Sequence, residues 1–74
     1  TLEEVKIYPN PVNDLLQIQS DQEIVGIALY SLTGQKLQTW ENQDNINLSS
    51  YATGIYFVKV QSSAGINTIK IIKE

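Results

Sequence analysis

The side chains in this sequence that can do chemistry carry oxygen, not sulfur or imidazole. Asp14, Asp21, Glu23, Glu41 and Asp44 are scattered over polar segments. Cleavage of a glycosidic bond needs two such carboxyls held roughly 5 to 9.5 Å apart across a cleft. A small scaffold offers little cleft, so their expected role is a solvated acidic surface that aids solubility. Asn10, Asn13 and Asp14 offer oxygen ligands to a hard cation. Only Asp14 of the three is charged, and no EF-hand loop surrounds them, so turn capping by the Asx side chains is the favoured reading. Trp40, Tyr30, Tyr8 and Tyr51 suggest an aromatic platform for sugar, although a core role for Trp40 is favoured. The chain has no histidine and no cysteine, so it contains neither Ser-His-Asp nor Cys-His machinery. It also lacks the ligands of a Cys or His zinc site and cannot form a disulfide. No catalytic, cofactor-binding or metal-binding residue is therefore expected.

Size and charge narrow the partners. Seventy-four residues make one small domain, 1–74, and 42% hydrophobic content is enough for a core. The formal net charge is -3, and the five basic residues are all lysines with no cluster in sequence, so nucleic-acid binding is not expected. No apolar run approaches the roughly 18 residues of a membrane-spanning helix, and no membrane insertion is expected. The chain opens at Thr1 without methionine or a charged leader, so it reads as lacking a signal peptide and as a piece of something longer. A monomer is expected.

The elements that must position these residues are strands. Helical periodicity is weak, whereas period-2 alternation, β-branched residues and regularly spaced turn residues are common. The pattern predicts strands at Val5 to Tyr8, Leu15 to Ser20, Ile24 to Tyr30, Gln35 to Trp40, Asn45 to Leu48, Ile55 to Gln61 and Asn67 to Ile72. Leu16 and Ile18 should share one face, as should Ile27 with Leu29, Ile46 with Leu48, and Tyr56 with Val58 and Val60. Leu37 is expected to point inward between Lys36 and Gln38. Pro9-Asn10-Pro11 removes two ladder donors and ends the first strand, with Asn10 held extended before a proline. Gly26 marks a bulge or a close backbone approach. Thr33-Gly34 is the clearest hairpin turn, and Ser20 to Glu23 and Ser62 to Gly65 are further turns. Seven strands at this spacing predict an all-β, two-sheet antiparallel sandwich.

Two segments carry more detail. Leu48 to Tyr56 reads as a sandwich corner: Gly54 eases entry into the strand, and Tyr56 buries its ring while returning its hydroxyl to backbone on the corner. Asn47-Leu48-Ser49 fits a glycosylation sequon. On the last strand Lys70 and Lys73 alternate with Ile69, Ile71 and Ile72. Such lysines either block unwanted edge pairing or present a handle to a partner.

The order of the pieces resembles a known family. Val5-Lys6-Ile7-Tyr8-Pro9-Asn10-Pro11-Val12 comes first, followed by Leu16-Gln17-Ile18 and then Ala28 through Thr33-Gly34-Gln35-Lys36-Leu37. Leu48 through Gly54-Ile55-Tyr56-Phe57-Val58-Lys59-Val60 and a terminal Lys70-Ile71-Ile72-Lys73 complete the series. Together these resemble the type A C-terminal sorting domain of the type IX secretion system of Bacteroidetes, also called the Por secretion system C-terminal domain. The likeness runs from Val5 to Lys73. Tyr51 stands where the family often has leucine, and it fills the same apolar slot.

The resemblance implies a small Ig-like β-sandwich at the end of a secreted cargo. It implies export through the periplasm, recognition by an outer-membrane translocon, and removal by a sortase-like peptidase, leaving the cargo at the cell surface or outside the cell. The domain is then a substrate of that chemistry and no enzyme. Thr1 to Glu4 would be the remnant of a linker or cleavage region. Lys70, Ile71, Ile72, Lys73 and Glu74 are the expected translocon-recognition residues, with Lys70 and Lys73 exposed. Pro9, Asn10, Pro11, Gly34, Gly54 and Tyr56 form the structural motif. The competing readings are a carbohydrate-binding or adhesion module, motivated by Trp40, and an inert spacer.

Overall fold

A computed structural model of the chain describes residues 5–20, 22–63 and 65–74. The segment 1–4 expected to be a linker remnant, Asp21 of the polar turn and Ala64 of the last turn lie outside them. The described residues form seven strands: β1 (Val5–Tyr8), β2 (Leu15–Ser20), β3 (Ile24–Ser31), β4 (Lys36–Glu41), β5 (Asn45–Asn47), β6 (Gly54–Ser62) and β7 (Gly65–Lys73). They pair antiparallel into a three-stranded sheet ordered β1-β2-β5 and a four-stranded sheet ordered β4-β3-β6-β7. The arrangement is all-β and consistent with a small Ig-like sandwich.

Alternation decides what fills the space between the sheets. In a strand, successive side chains point to opposite faces, so residues two apart are buried together. Leu16 and Ile18 from β2, Ile46 and Leu48 at β5, Ile27 and Leu29 from β3, Val58 and Val60 from β6, and Ile71 from β7 make one buried cluster with Val12. Val5, Ile7, Trp40, Tyr51, Tyr56 and Ile69 pack against its margin. Trp40 thus has the core role favoured from sequence, and Tyr51 fills an apolar slot.

β4 departs from expectation. Leu37 is 38% exposed and does not point inward. The β3–β4 register slips between Leu29 and Tyr30: Leu29 stands opposite Gln38, but Tyr30 stands opposite Lys36. One residue of β4 is thereby skipped, and Gln38 takes the position facing the same way as buried Leu29. A slip of one residue exchanges the faces of a strand. A second slip, between Ile24 and Gly26, is the bulge expected near Gly26. A β-carbon there would make only ordinary contact with the Trp40 carbonyl, at 3.7 Å, so close approach does not account for this glycine.

The turns follow local chemistry. Gly34 has φ +94°, which L-residues disfavour, and its N–H donates to the Ser31 carbonyl at 2.9 Å. Ser31 reinforces the turn by accepting the Gln35 N–H on its hydroxyl at 3.2 Å. At the corner, the Tyr56 hydroxyl donates to the Ala52 carbonyl at 2.7 Å, as the sequence predicted. The Tyr51 ring meets Tyr56 edge-on, with centroids 6.1 Å apart, and its hydroxyl donates to Gln38 Oε1. The two tyrosines therefore tie the corner to β6 and to edge strand β4.

These contacts set two expectations for urea denaturation. Tyr56→Phe, which keeps the ring and loses the corner hydrogen bond, should destabilise the domain by about 1 kcal/mol. Leu29→Ala should cost about 2 to 5 kcal/mol, because Leu29 is fully buried and its removal leaves a cavity.

Candidate functional site

The end of β7 is built by two distant segments. β7 is an edge strand, paired with β6 on one side. In an antiparallel ladder, alternate residues turn their backbone groups away from the partner. Toward the end of β7 these outward groups belong to Lys70, Ile72 and Glu74. An uncovered row of this kind invites pairing with another chain.

Here the row is covered from within. After β1 the chain leaves the smaller sheet, passes Pro9 to Pro11 and reaches the edge of the larger one, where Val12 forms a parallel bridge with Lys73. The Val12 N–H donates to the Ile72 carbonyl, and the Glu74 N–H donates to the Val12 carbonyl, both at 2.8 Å. Proline has no N–H, so Pro9 and Pro11 cannot extend this ladder as donors. The side-chain amide of Asn10 does so instead. Its Nδ2 donates to the Lys70 carbonyl at 3.3 Å, and its Oδ1 accepts the Ile72 N–H at 3.1 Å. A carboxamide holds a donor and an acceptor in the arrangement of a peptide group. Four successive edge groups, three on β7 and the N–H of Glu74 just after it, are thus satisfied by Asn10 and Val12.

This clasp revises the reading of the last five residues. Lys70 and Glu74 are exposed, and Ile72 is 42% exposed. Ile71 is buried in the core. Lys73 is not the exposed lysine that was expected: it is only 6% exposed, and its ammonium donates to the Glu74 carbonyl at 2.7 Å. Odd positions of β7 face inward, and Val12 lies against this one, so Lys73 follows the alternation of Ile69 and Ile71. The displayed residues are consequently Lys70, Ile72 and Glu74. Edge protection comes from Asn10 and Val12, and strand addition at this end would have to displace them.

The other candidates are placed apart from this end. Asn10 uses its amide on β7, not on a local turn, and Asn13 and Asp14 are exposed. Asn47 makes the local Asx contact expected of such residues, accepting the Ser49 N–H at 2.9 Å. Among the carboxylates, Glu23 and Asp44 line one open cleft with Tyr8, Gln17 and Gln43, both of them exposed to water. Tyr8 and Trp40 belong to different sheets, so the four aromatics do not make one platform. Among the described residues no group of three or more acidic side chains is arranged to hold a metal ion. Sequence reasoning missed the clasp. Its one local signal is an amide side chain between two residues that lack a backbone donor.

Asn10→Ala should speed hydrogen exchange at the Ile72 amide by at least about tenfold, since that N–H loses its protein acceptor while the strand stays paired to β6. Amides in the middle of β3 and β6 should change far less. Nuclear magnetic resonance exchange on the two proteins measures the difference.

Comparison with known proteins agrees with this architecture. A family model described as a secretion system C-terminal sorting domain matches residues 6–74, from Lys6 in β1 through the clasp and β7. No curated protein matches the chain significantly. A match over nearly the whole sequence, with the expected strands in the expected order, decides the assignment: this chain belongs to the family of type IX secretion C-terminal sorting domains.

Proposed function

We propose that this domain carries an attached cargo protein through the periplasm and across the outer membrane, where a sortase-like peptidase then separates it from the cargo. A sorting signal of this family is attached to an upstream cargo and handled by the secretion machinery, and it implies export to the cell surface or the extracellular space. The family is one of signals and not of catalysts. The finer steps are our reading. Its strongest support is the family match over residues 6–74. The clasped end of β7 adds a physical rationale, because a signal is read efficiently when its conformation is already ordered.

In this reading Lys70, Ile72 and Glu74 are the recognised side chains of the last strand. Ile71 and Lys73 hold that strand from the inner side. Residues 1–4 are the remnant of a linker or cleavage region, and the peptidase acts at or before the first strand. The carbohydrate-binding alternative rested on Trp40, which is packed against the core, and so loses its motive.

The direct test fuses residues 1–74 to a reporter exported to the periplasm of a host with this pathway. The reporter should reach the medium or the cell surface only when the domain is present, and intact mass should show that the domain has been removed. Retention of the fused reporter in the periplasm would refute the proposal. Lys70→Ala/Ile72→Ser should lower export while leaving the thermal unfolding midpoint within a few degrees, because both side chains are exposed.

A further inference from the structure

The outer face of the four-stranded sheet gathers charge that the sequence disperses. Residues directly opposite one another on neighbouring strands share a face. The registers therefore place Lys36, Tyr30, Phe57 and Lys70 in one row across β4, β3, β6 and β7. Lys59 stands two residues from Phe57 on the same face. Its ammonium lies 6.0 Å from the Tyr30 ring centroid, a cation–π contact that positions the charge. Three of the five lysines of a chain with net charge -3 thus meet around two aromatic rings. Tyr30, Phe57 and Lys59 also line one shallow depression. Ile55 and Ile72, opposite each other in the ladder and 36% and 42% exposed, extend the apolar strip beside the row.

We propose that this face is a docking surface for an acidic protein partner within the secretion machinery, an inference that rests on the export reading above. Lys36 and Lys70 are separated by three inter-strand steps, so a complementary surface would carry carboxylates about 14 Å apart with apolar groups between them. Aromatic contacts at the centre with charges at the margin are the composition of a protein interface. The apolar strip favours a protein over a purely anionic polymer, which has no use for it. The face is also continuous with Lys70 and Ile72 of the clasped end, so one partner can cover both.

Lys36 and Lys59 lie outside the last strand, and their substitution separates this face from the end of β7. In the reporter fusion, Lys36→Glu/Lys59→Glu should reduce export by at least about tenfold, because like charges then face each other across the interface. Lys6→Glu, a charge reversal on the opposite sheet, should leave export within about twofold of the parent, as expected for an exposed charge remote from the proposed docking face. Lys36→Gln/Lys59→Gln, which removes charge without adding any, should give an intermediate loss and serves if the double Glu variant fails to fold. Carbodiimide coupling in cells during export should join a lysine of this face to an Asp or Glu of a secretion-machinery protein. Normal export of the Gln variant, or of a folded Glu variant, would overturn the docking face while the exported parent upholds the sorting reading. Equal loss from Lys6→Glu would overturn it too, by showing a general charge effect, as would enrichment on this face of an anionic glycan in place of a protein. Failure of the parent to export would instead refute the sorting reading, and this proposal with it.

Discussion

The side-chain amide of Asn10 standing in for a peptide group is the interaction on which the rest of this structure turns. It bonds to both the Lys70 carbonyl and the Ile72 N–H, and Val12 continues the row. The effect is to join the two sheets at this end through backbone hydrogen bonds as well as through packed side chains. β1 belongs to the smaller sheet, yet the residues that follow it finish the edge of the larger one. The start of the fold thereby fixes the end of the chain. Prolines on both sides explain why the ladder uses a side chain there: neither can donate a backbone hydrogen bond.

This constraint organises the faces of β7. Once the strand is seated between β6 and the clasp, alternation commits Ile69, Ile71 and Lys73 to the interior and leaves Lys70 and Ile72 outward. Lys73 fits this rule: the residue is buried at a position otherwise suited to an apolar one, and its ammonium reaches the adjacent Glu74 carbonyl. The outward residues join Tyr30, Phe57, Lys36 and Lys59 on one continuous surface. A small domain with no histidine and no cysteine can still have a strongly differentiated exterior, because register brings together lysines that lie far apart in sequence.

Much of the fold was legible in the residues. The alternation of Leu16 with Ile18, of Ile27 with Leu29, and of Tyr56 with Val58 and Val60 located the core, and the Ala52 to Tyr56 corner could be read down to its hydrogen bond. These features depend on near neighbours along the chain. What escaped depends on other kinds of information. The contacts of Asn10 span 60 and 62 residues, and nothing beside Asn10 names their partners. The inward placing of Leu37 failed because a slip of one residue between β3 and β4 is a property of the pair. Lys73 was read by charge alone, although its position in the alternation already pointed inward. The proposed recognition residues were suggested by the lysines and the terminal position of the last strand, and only the arrangement of β7 divides them into displayed and supporting positions.

The central claim is that order at the end of β7, beyond mere stability of the sandwich, is what makes the domain a competent signal. The decisive measurement compares reporter export for Asn10→Ala and Tyr56→Phe, with unfolding free energies measured on both. Each removes side-chain hydrogen bonding to backbone, but only the first loosens the clasped end. The account predicts that Asn10→Ala loses export well beyond what its stability change explains, while Tyr56→Phe keeps export close to that of the parent. Equal export from the two variants at equal stability would contradict it.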